Sequence, residues 1–126
     1  MAEETYPDDL RYHEAHDWAR LEGDVATFGV TWRAQDLLGD IVFFAPPEIG
    51  AMIQAGDGYG ELESVKAVSD VIAPIGGEVL EVNQAVVDSP EQVNDDPYGA
   101  WLVKVRIADE TQFDALLSAD AYRALL

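Results

Sequence analysis

A nearly palindromic stretch, E-S-V-K-A-V-S-D at residues 63–70, centres on Lys66, which is one of only two lysines in the chain. If Lys66 and Ala67 form a two-residue loop, the residues on either side become cross-strand partners in a hairpin. The predicted pairs are Val65 with Val68, Ser64 with Ser69, and Glu63 with Asp70. Lys-Ala is a poor sequence for such a loop, because two-residue hairpin loops favour Asn-Gly or Asp-Gly. The presence of Lys-Ala in place of a favoured turn sequence suggests that the loop serves to present Lys66. The simpler alternative is that Lys66 is an ordinary solvated surface lysine.

The histidine-containing stretch H-E-A-H at residues 13–16 has a spacing that invites comparison with metal sites. The helical metalloprotease pattern H-E-x-x-H needs one more residue between its histidines, and this stretch precedes a predicted hairpin rather than a long helix. We therefore predict no metal site here. Asp17, between His16 and Trp18, is a better candidate for the wall of a pocket.

Sequence patterns for catalysis are missing from the chain. It contains neither a G-x-S-x-G elbow nor a glycine-rich phosphate loop leading into a helix. It also contains no cysteine, which excludes disulfides, thiolate metal sites and cysteine nucleophiles. These observations favour a non-catalytic carrier or binding protein over an enzyme.

Acidic residues outnumber basic ones by 25 to 7 in this 126-residue chain, which gives a net charge of −18. Such a surface repels nucleic acid and anionic lipid, since binding to either needs cationic groups, but it suits basic protein partners. Solubility or a salty cytoplasm explains the charge equally well, because the acids are spread over the whole chain. The N-terminus lacks a signal-peptide pattern and no long apolar run occurs, so we expect a single cytoplasmic domain over residues 1–126 without membrane or nucleic-acid partners.

The elements that would position Lys66 and Asp17 are mostly short strands. Alternating and apolar runs predict strands at 18–21, 25–30, 41–44, 51–53, 59–65, 68–73, 78–83 and 98–107. Lys66 then lies in a hairpin over residues 59–73. In the last strand one face would carry Trp101, Val103, Val105 and Ile107, and the other Lys104 and Arg106.

Three short helices are predicted around these strands. Thr31 is placed to cap a helix over residues 32–38, and Ser89 is placed to cap a brief one that ends before Pro97. A C-terminal helix is predicted over about residues 109–126. Its apolar face would carry Phe113, Leu116 and Leu117.

Two pairs of short segments repeat in the same order along the chain. A-P-P-E-I-G at 45–50 is echoed by A-P-I-G-G-E at 73–78, and D-G-Y-G-E-L at 57–62 by D-P-Y-G-A-W-L at 96–102. Echoes in register suggest two similar β halves packed face to face. We therefore predict a mainly β domain, a flattened barrel or sandwich with short helices at its edges.

Several blocks of the sequence are distinctive when taken together. They are H-D-W, G-V-T-W-R-A-Q-D-L-L-G-D-I-V-F, E-S-V-K-A-V-S-D, A-P-I-G-G-E-V-L-E-V-N, S-P-E-Q-V-N-D-D-P-Y-G and A-Y-R-A-L-L. In this combination the chain closely resembles the H-protein family of the glycine cleavage system, from about Tyr12 to Leu126. The resemblance implies a lipoyl-domain fold: a barrel-sandwich hybrid of two β halves with short N-terminal, central and C-terminal helices.

The resemblance also implies a function and a set of site residues. Lys66 would carry lipoate in amide linkage, as part of a non-catalytic carrier that is expected to be a monomer. The lipoyl arm would shuttle an aminomethyl group between glycine decarboxylase, aminomethyltransferase and dihydrolipoamide dehydrogenase. By position, Asp17 and Asp70 would line the place where the loaded arm folds back, and Glu63 would be recognised by the lipoylating enzyme.

Two blocks depart from the family pattern on the surface expected to meet a partner. T-W-R-A-Q stands where the family reads T-D-Y-A-Q or T-E-H-A-Q, and F-A-P-P-E stands where it reads V-E-L-P-E. The residues that differ from the pattern at these positions include Trp32, Arg33 and Ala45. The changes leave an alternative open, an H-like lipoate-binding protein that carries sulfur for a heterodisulfide-reductase-like complex. Drift on an exposed face is the simpler explanation of the same substitutions.

Overall fold

A computed structural model gives the fold and describes residues 3–126. The strands within these residues are β1 (Arg11–His13), β2 (Asp17–Glu22), β3 (Val25–Val30), β4 (Ile41–Ala45), β5 (Met52–Ile53), β6 (Gly58–Ser64), β7 (Val68–Ile72), β8 (Gly77–Val82) and β9 (Val103–Ile107). The helices, all short, are α1 (Trp32–Leu38), α2 (Gln84–Asp88), α3 (Gln92–Asp95), α4 (Thr111–Asp114) and α5 (Ala119–Arg123). The prediction of a mainly β fold with short helices is confirmed.

The strands form two antiparallel sheets. The larger has six strands in the order β1-β2-β3-β9-β8-β5, and the smaller has three in the order β4-β6-β7. The pairing of β3 with β9 joins the N-terminal hairpin to the last strand of the chain. The hairpin of β6 and β7 carries Lys66 in its loop and leaves β7 as an edge strand of the smaller sheet.

Side chains from both sheets meet in one hydrophobic core. Val103, Val105 and Ile107 of β9 are buried, while the residues between them are half-buried or exposed, which is the period-two pattern of a strand with one covered face. Phe44 and Leu62 of the smaller sheet are fully buried in the same core. Each such large apolar side chain contributes about 1.5–3 kcal/mol by leaving water, so this shared core stabilises the contact between the sheets.

A second cluster of buried side chains lies on the opposite face of β1 and β2. It joins the two ends of the chain, and its members are Tyr6, Leu10, Tyr12, Trp18, Ala119 and Tyr122. The rings of Tyr12 and Tyr122 stack with centroids 4.8 Å apart and planes 13° apart. The segment before β1 and helix α5 are therefore packed onto the larger sheet rather than left as free ends.

The last predicted strand is wrong in extent. The last strand was expected over residues 98–107, but β9 begins only at Val103. Tyr98 and Gly99 lie in a turn, and Trp101 packs against the second cluster, with its ring 5.0 Å from Lys104 Nζ. The aromatic residue therefore belongs to the covered outer face and not to the inward row of β9.

The helix boundaries also differ from the predictions. Ser89 was expected to cap a helix, but it follows α2, which the strand and turn patterns did not reveal, and α3 begins at Gln92. The C-terminal segment predicted as a helix over about 109–126 is divided into α4 and α5. The division occurs because Leu117 exchanges two backbone hydrogen bonds with Tyr12, at 2.8 and 2.9 Å, which removes it from any helical ladder.

Gly29 is needed for the close packing of Trp18, its cross-strand partner. A Cβ at position 29 would lie 2.5 Å from two carbons of the buried indole ring, whose Nε1 donates to the Pro97 carbonyl at 3.1 Å. The ring is fixed on both sides, so it has little room to move.

We expect Gly29→Ala to lower the free energy of unfolding by about 1–3 kcal/mol, because the added methyl group overpacks the site. Urea unfolding measures the change. Gly58→Ala is the matched control, since a Cβ there meets only an ordinary contact at 3.5 Å from Asp70. An equal loss in the two variants would contradict the packing argument.

Candidate functional site

The loop that carries Lys66 is closed by the side chain and backbone of Ser64. The Ser64 N–H donates to the Ala67 carbonyl at 2.7 Å. Ser64 Oγ accepts from the N–H groups of Lys66 at 3.3 Å and Ala67 at 3.1 Å. A serine that bonds the backbone two and three residues ahead supplies the closing contacts that Asn-Gly would otherwise provide. The unusual loop sequence is therefore explained by Ser64.

The predicted register of this hairpin is wrong by two residues. Glu63 lies opposite Val68 rather than Asp70, because Ser64 and Ala67 close the loop around Val65 and Lys66. The remaining observed pairs are Leu62 with Ser69 and Glu61 with Asp70. A shift of two residues leaves every side chain on its predicted face, since the side-chain period of a strand is two.

Lys66 is exposed in this loop and forms none of the salt bridges found among residues 3–126. Its side chain passes close to Gly39, where a Cβ would lie 3.5 Å from Lys66 Cε. Gly39 ends α1 with φ at 83°, in the left-handed region that favours glycine. The amine is thus accessible and unpaired beside the end of α1, as a lysine that accepts an acyl group requires.

A cavity of about 130 Å³ lies next to this loop. Its walls include the turn before β2 with His16, the start of β2 with Asp17, α1 with Ala34 and Leu37, and the hairpin of β6 and β7 with Asp70. The structure therefore brings Asp17 and Asp70 to one cavity, as the resemblance led us to expect. Glu63 is exposed on the hairpin and does not line the cavity.

Asp17 is the buried acid of this site, with 2% of its surface exposed. Its Oδ1 accepts the N–H of Ile72 at 3.2 Å, which satisfies an amide on the edge strand β7. Burial raises the pKa of Asp17 well above its ordinary value, and the hydrogen bond from Ile72 opposes that rise. Asp17 also lines the cavity, so a group that enters the cavity comes close to this buried acid.

Tyr59 is a part of this region that the sequence did not reveal. Its hydroxyl is fully buried and has no hydrogen-bond partner among residues 3–126. Burial first, and the charge of Asp17 second, raise the pKa of Tyr59. The sequence predicted only a strand over residues 59–65, and nothing in that pattern shows that the Tyr59 ring would lie near Asp17.

The three residues that depart from the family pattern are half-buried, whereas drift on an exposed face would place them in solvent. Trp32 is half-buried against the second cluster, and its backbone N–H donates to the Tyr98 hydroxyl at 3.0 Å. Arg33 is half-buried, and its charge adds to burial in lowering the pKa of His16. Ala45 ends β4 and pairs with Glu61 of β6. A carboxylate therefore lies next to position 45, although the acid of the family pattern is replaced by alanine there.

Comparison with known proteins identifies the family. The model of the glycine cleavage H-protein family matches residues 10–126. The chain belongs to this family. It is 54% identical over 123 residues to the glycine cleavage system H protein of Thermosynechococcus vestitus, a match that covers 97% of this chain and 95% of the relative. It is 53% identical over 120 residues to that of a Cyanothece species, covering 94% of this chain and 93% of the relative.

The fold agrees with a solved structure of the family. The crystal structure of a glycine cleavage system H protein from Mycobacterium marinum superposes with a TM-score of 0.87 at 40% identity, covering 94% of this chain and 97% of that one. Both the family prediction and the prediction of a lipoyl carrier of glycine cleavage are confirmed, and no comparison favours the sulfur-oxidation alternative. Within residues 3–126, no helix is both long and apolar enough to cross a membrane.

Asp17→Asn tests the cost of the buried acid. The unfolded chain loses the Asp17 proton near pH 3.8, whereas the folded chain loses it at a higher pH. Between these two pKa values the native state binds the extra proton, so the free energy of unfolding falls as pH rises, and the loss is complete above the folded pKa. Each unit of difference corresponds to about 1.4 kcal/mol.

The asparagine keeps an oxygen for the Ile72 amide and has no proton to lose. We therefore expect Asp17→Asn to be more stable than the parent chain at pH 8 and equal to it below about pH 4. Urea unfolding between these pH values measures the difference. Glu48→Gln, which removes the charge of an exposed residue outside the cavity, should not reproduce it. A less stable Asp17→Asn at pH 8 would show that the buried charge is compensated.

Proposed function

We propose that Lys66 carries lipoate in amide linkage and that the chain carries an aminomethyl group between the enzymes of glycine cleavage. The observation that supports this most strongly is the position of Lys66: an exposed, unpaired amine next to a cavity that two carboxylates line. Lys66 would hold the lipoyl group, whose S–S bond would open on transfer from glycine so that one sulfur takes the aminomethyl group and the other becomes a thiol. We infer that the chain acts as a monomeric, cytoplasmic carrier with no catalytic residue of its own.

The loop of Ser64 to Ala67 presents the modified lysine to successive partners. The side-chain hydrogen bonds of Ser64 fix the backbone on both sides of Lys66, while the lysine side chain itself remains free. A long arm on a fixed anchor keeps its end at a high effective concentration near any enzyme that binds the carrier. The rigid loop therefore gives partners a fixed surface to bind, and the free side chain lets the arm extend into their active sites.

The cavity beside the loop suits a cationic amine. Asp17 and Asp70 supply negative charge, and Ala34, Leu37 and Leu38 of α1 give the cavity an apolar wall. A cation near the buried Asp17 favours its ionised form, so the charge that burial disfavours is stabilised when an amine is present. We propose that the loaded arm rests here, where its cargo is protected from hydrolysis.

Glu63 is proposed as a recognition residue for the lipoylating enzyme. It is exposed in β6, three residues before Lys66, and the apolar Val65 and Val68 beside it are 81% and 55% exposed. A carboxylate between exposed apolar side chains fits an enzyme surface with a basic group among apolar residues. The net charge of −18 would also steer basic partners toward the carrier at long range.

The attachment site is tested by intact mass and peptide mapping after incubation with lipoate and a lipoylating enzyme. We expect one lipoyl adduct on the parent chain and on Lys104→Arg, and none on Lys66→Arg. The melting temperature of Lys66→Arg should stay close to that of the parent, because an exposed loop side chain contributes within about 0.5 kcal/mol. An adduct on Lys104, or none on the parent chain, would refute the assignment.

The role of the cavity is tested by loading lipoylated protein with glycine and glycine decarboxylase and then following ammonia release without the transferase. Asp17→Asn should release ammonia about tenfold faster than the parent chain, since it loses a charge-assisted contact to the amine. Glu48→Gln removes a charge outside the cavity and should not change the rate. Equal rates in the parent chain and Asp17→Asn would exclude this role for the carboxylate.

A further inference from the structure

We propose that Tyr122 is a positioning residue of the cavity, although it lies in α5 near the C-terminus and lines no part of the cavity itself. Its hydroxyl connects the turn before β2 to the start of α1, and these two segments form two of the cavity walls. The inference rests on the proposed resting place of the loaded arm, and it adds the C-terminal helix to the parts of the chain that shape that place.

The contacts of the Tyr122 hydroxyl carry the argument. It lies 2.6 Å from His16 Nδ1 and 2.8 Å from Thr31 Oγ1. His16 lines the cavity directly. Thr31 is the N-cap of α1, and its Oγ1 accepts the N–H of Ala34, a cavity-lining residue, at 3.3 Å. One oxygen atom therefore connects both walls.

The backbone conformation of His16 shows why the hydrogen bonds of the Tyr122 hydroxyl affect Asp17. His16 has φ at 76°, which is an unfavourable left-handed conformation for a residue with a Cβ. Its carbonyl accepts the Thr31 N–H at 3.0 Å, so the turn and the start of α1 are joined by backbone as well as side chain. Since Asp17 follows His16 directly, the contacts that hold this conformation also set the direction of the Asp17 carboxylate.

Tyr122 is well suited to hold a fixed position. Its ring is fully buried, stacks on Tyr12, and meets the edge of Tyr6 with centroids 5.4 Å apart. A tyrosine hydroxyl has one proton to donate and two lone pairs, so it can donate to one of its two partners and accept from the other. Burial lowers the pKa of His16, and a neutral imidazole satisfies either arrangement.

The first experiment uses the unmodified chain and does not depend on cargo. Tyr122→Phe removes only the hydroxyl and keeps the aromatic stack. We expect the N–H groups of Ala34 and Ile72, measured by NMR, to exchange about three- to tenfold faster than in the parent, while Val105 in β9 exchanges as before. Equal acceleration at all three amides would reveal a purely structural role and overturn the proposal, as would no acceleration.

Two further variants make the comparison specific. Tyr12→Phe is the matched control, because it removes the other hydroxyl of the stacked pair, which donates to the Pro7 carbonyl at 2.6 Å. It should leave exchange at Ala34 and Ile72 unchanged. Thr31→Val should reproduce the effect of Tyr122→Phe, whereas Thr31→Ser, which keeps the hydroxyl, should restore the parent behaviour. A Thr31→Ser variant that resembled Thr31→Val would contradict the inference.

The second experiment follows ammonia release from the loaded, lipoylated variants. We expect Tyr122→Phe to release ammonia about three- to tenfold faster than the parent chain and Tyr12→Phe to match the parent. Protection that is equal in the parent and in Tyr122→Phe would overturn the inference alone. Release from the parent as fast as from a loaded free lipoamide would instead refute the proposed resting place, whatever the amide exchange shows.

Discussion

The hydrogen bond between the Asp17 carboxylate and the Ile72 amide is the contact around which the site is arranged. It joins β2 of the larger sheet to the edge strand of the smaller one, at 3.2 Å, where both border the cavity. Burying a carboxylate is unfavourable unless hydrogen bonds or a cation compensate it. The fold supplies one amide, and we propose that a positive group entering the cavity supplies the remaining compensation.

The surroundings of Asp17 fit this arrangement. Tyr59 places a buried hydroxyl nearby without a partner among the described residues, and none of the salt bridges there includes Asp17. An internal cation would neutralise the acid permanently and remove its preference for an amine. The chain therefore keeps an energetically unfavourable group at the proposed resting place of the arm, while the shared core of the two sheets supplies the stability of the fold.

The sequence predicted the local features and missed those that depend on distant contacts. Alternation predicted β3 and the inward row of β9, and the hydroxyl of Thr31 predicted the start of α1, because each signal lies within a few residues. The hairpin register failed by two residues because Ser64 closes the loop with its side chain, which a mirror-image pattern cannot show. The contact between His16 and Tyr122 spans 106 positions, and no periodicity or motif connects them.

The two halves of the site are built by opposite physical means. The loop of Lys66 is closed mainly by local hydrogen bonds of Ser64, with one further backbone bond from Val65 to the Asp40 carbonyl at 3.4 Å. The cavity depends on burial and on contacts between segments far apart in sequence, so it forms only when the whole chain has folded. In the proposed function, recognition by a partner therefore depends on the hairpin, whereas protection of a cargo depends on contacts from across the whole fold.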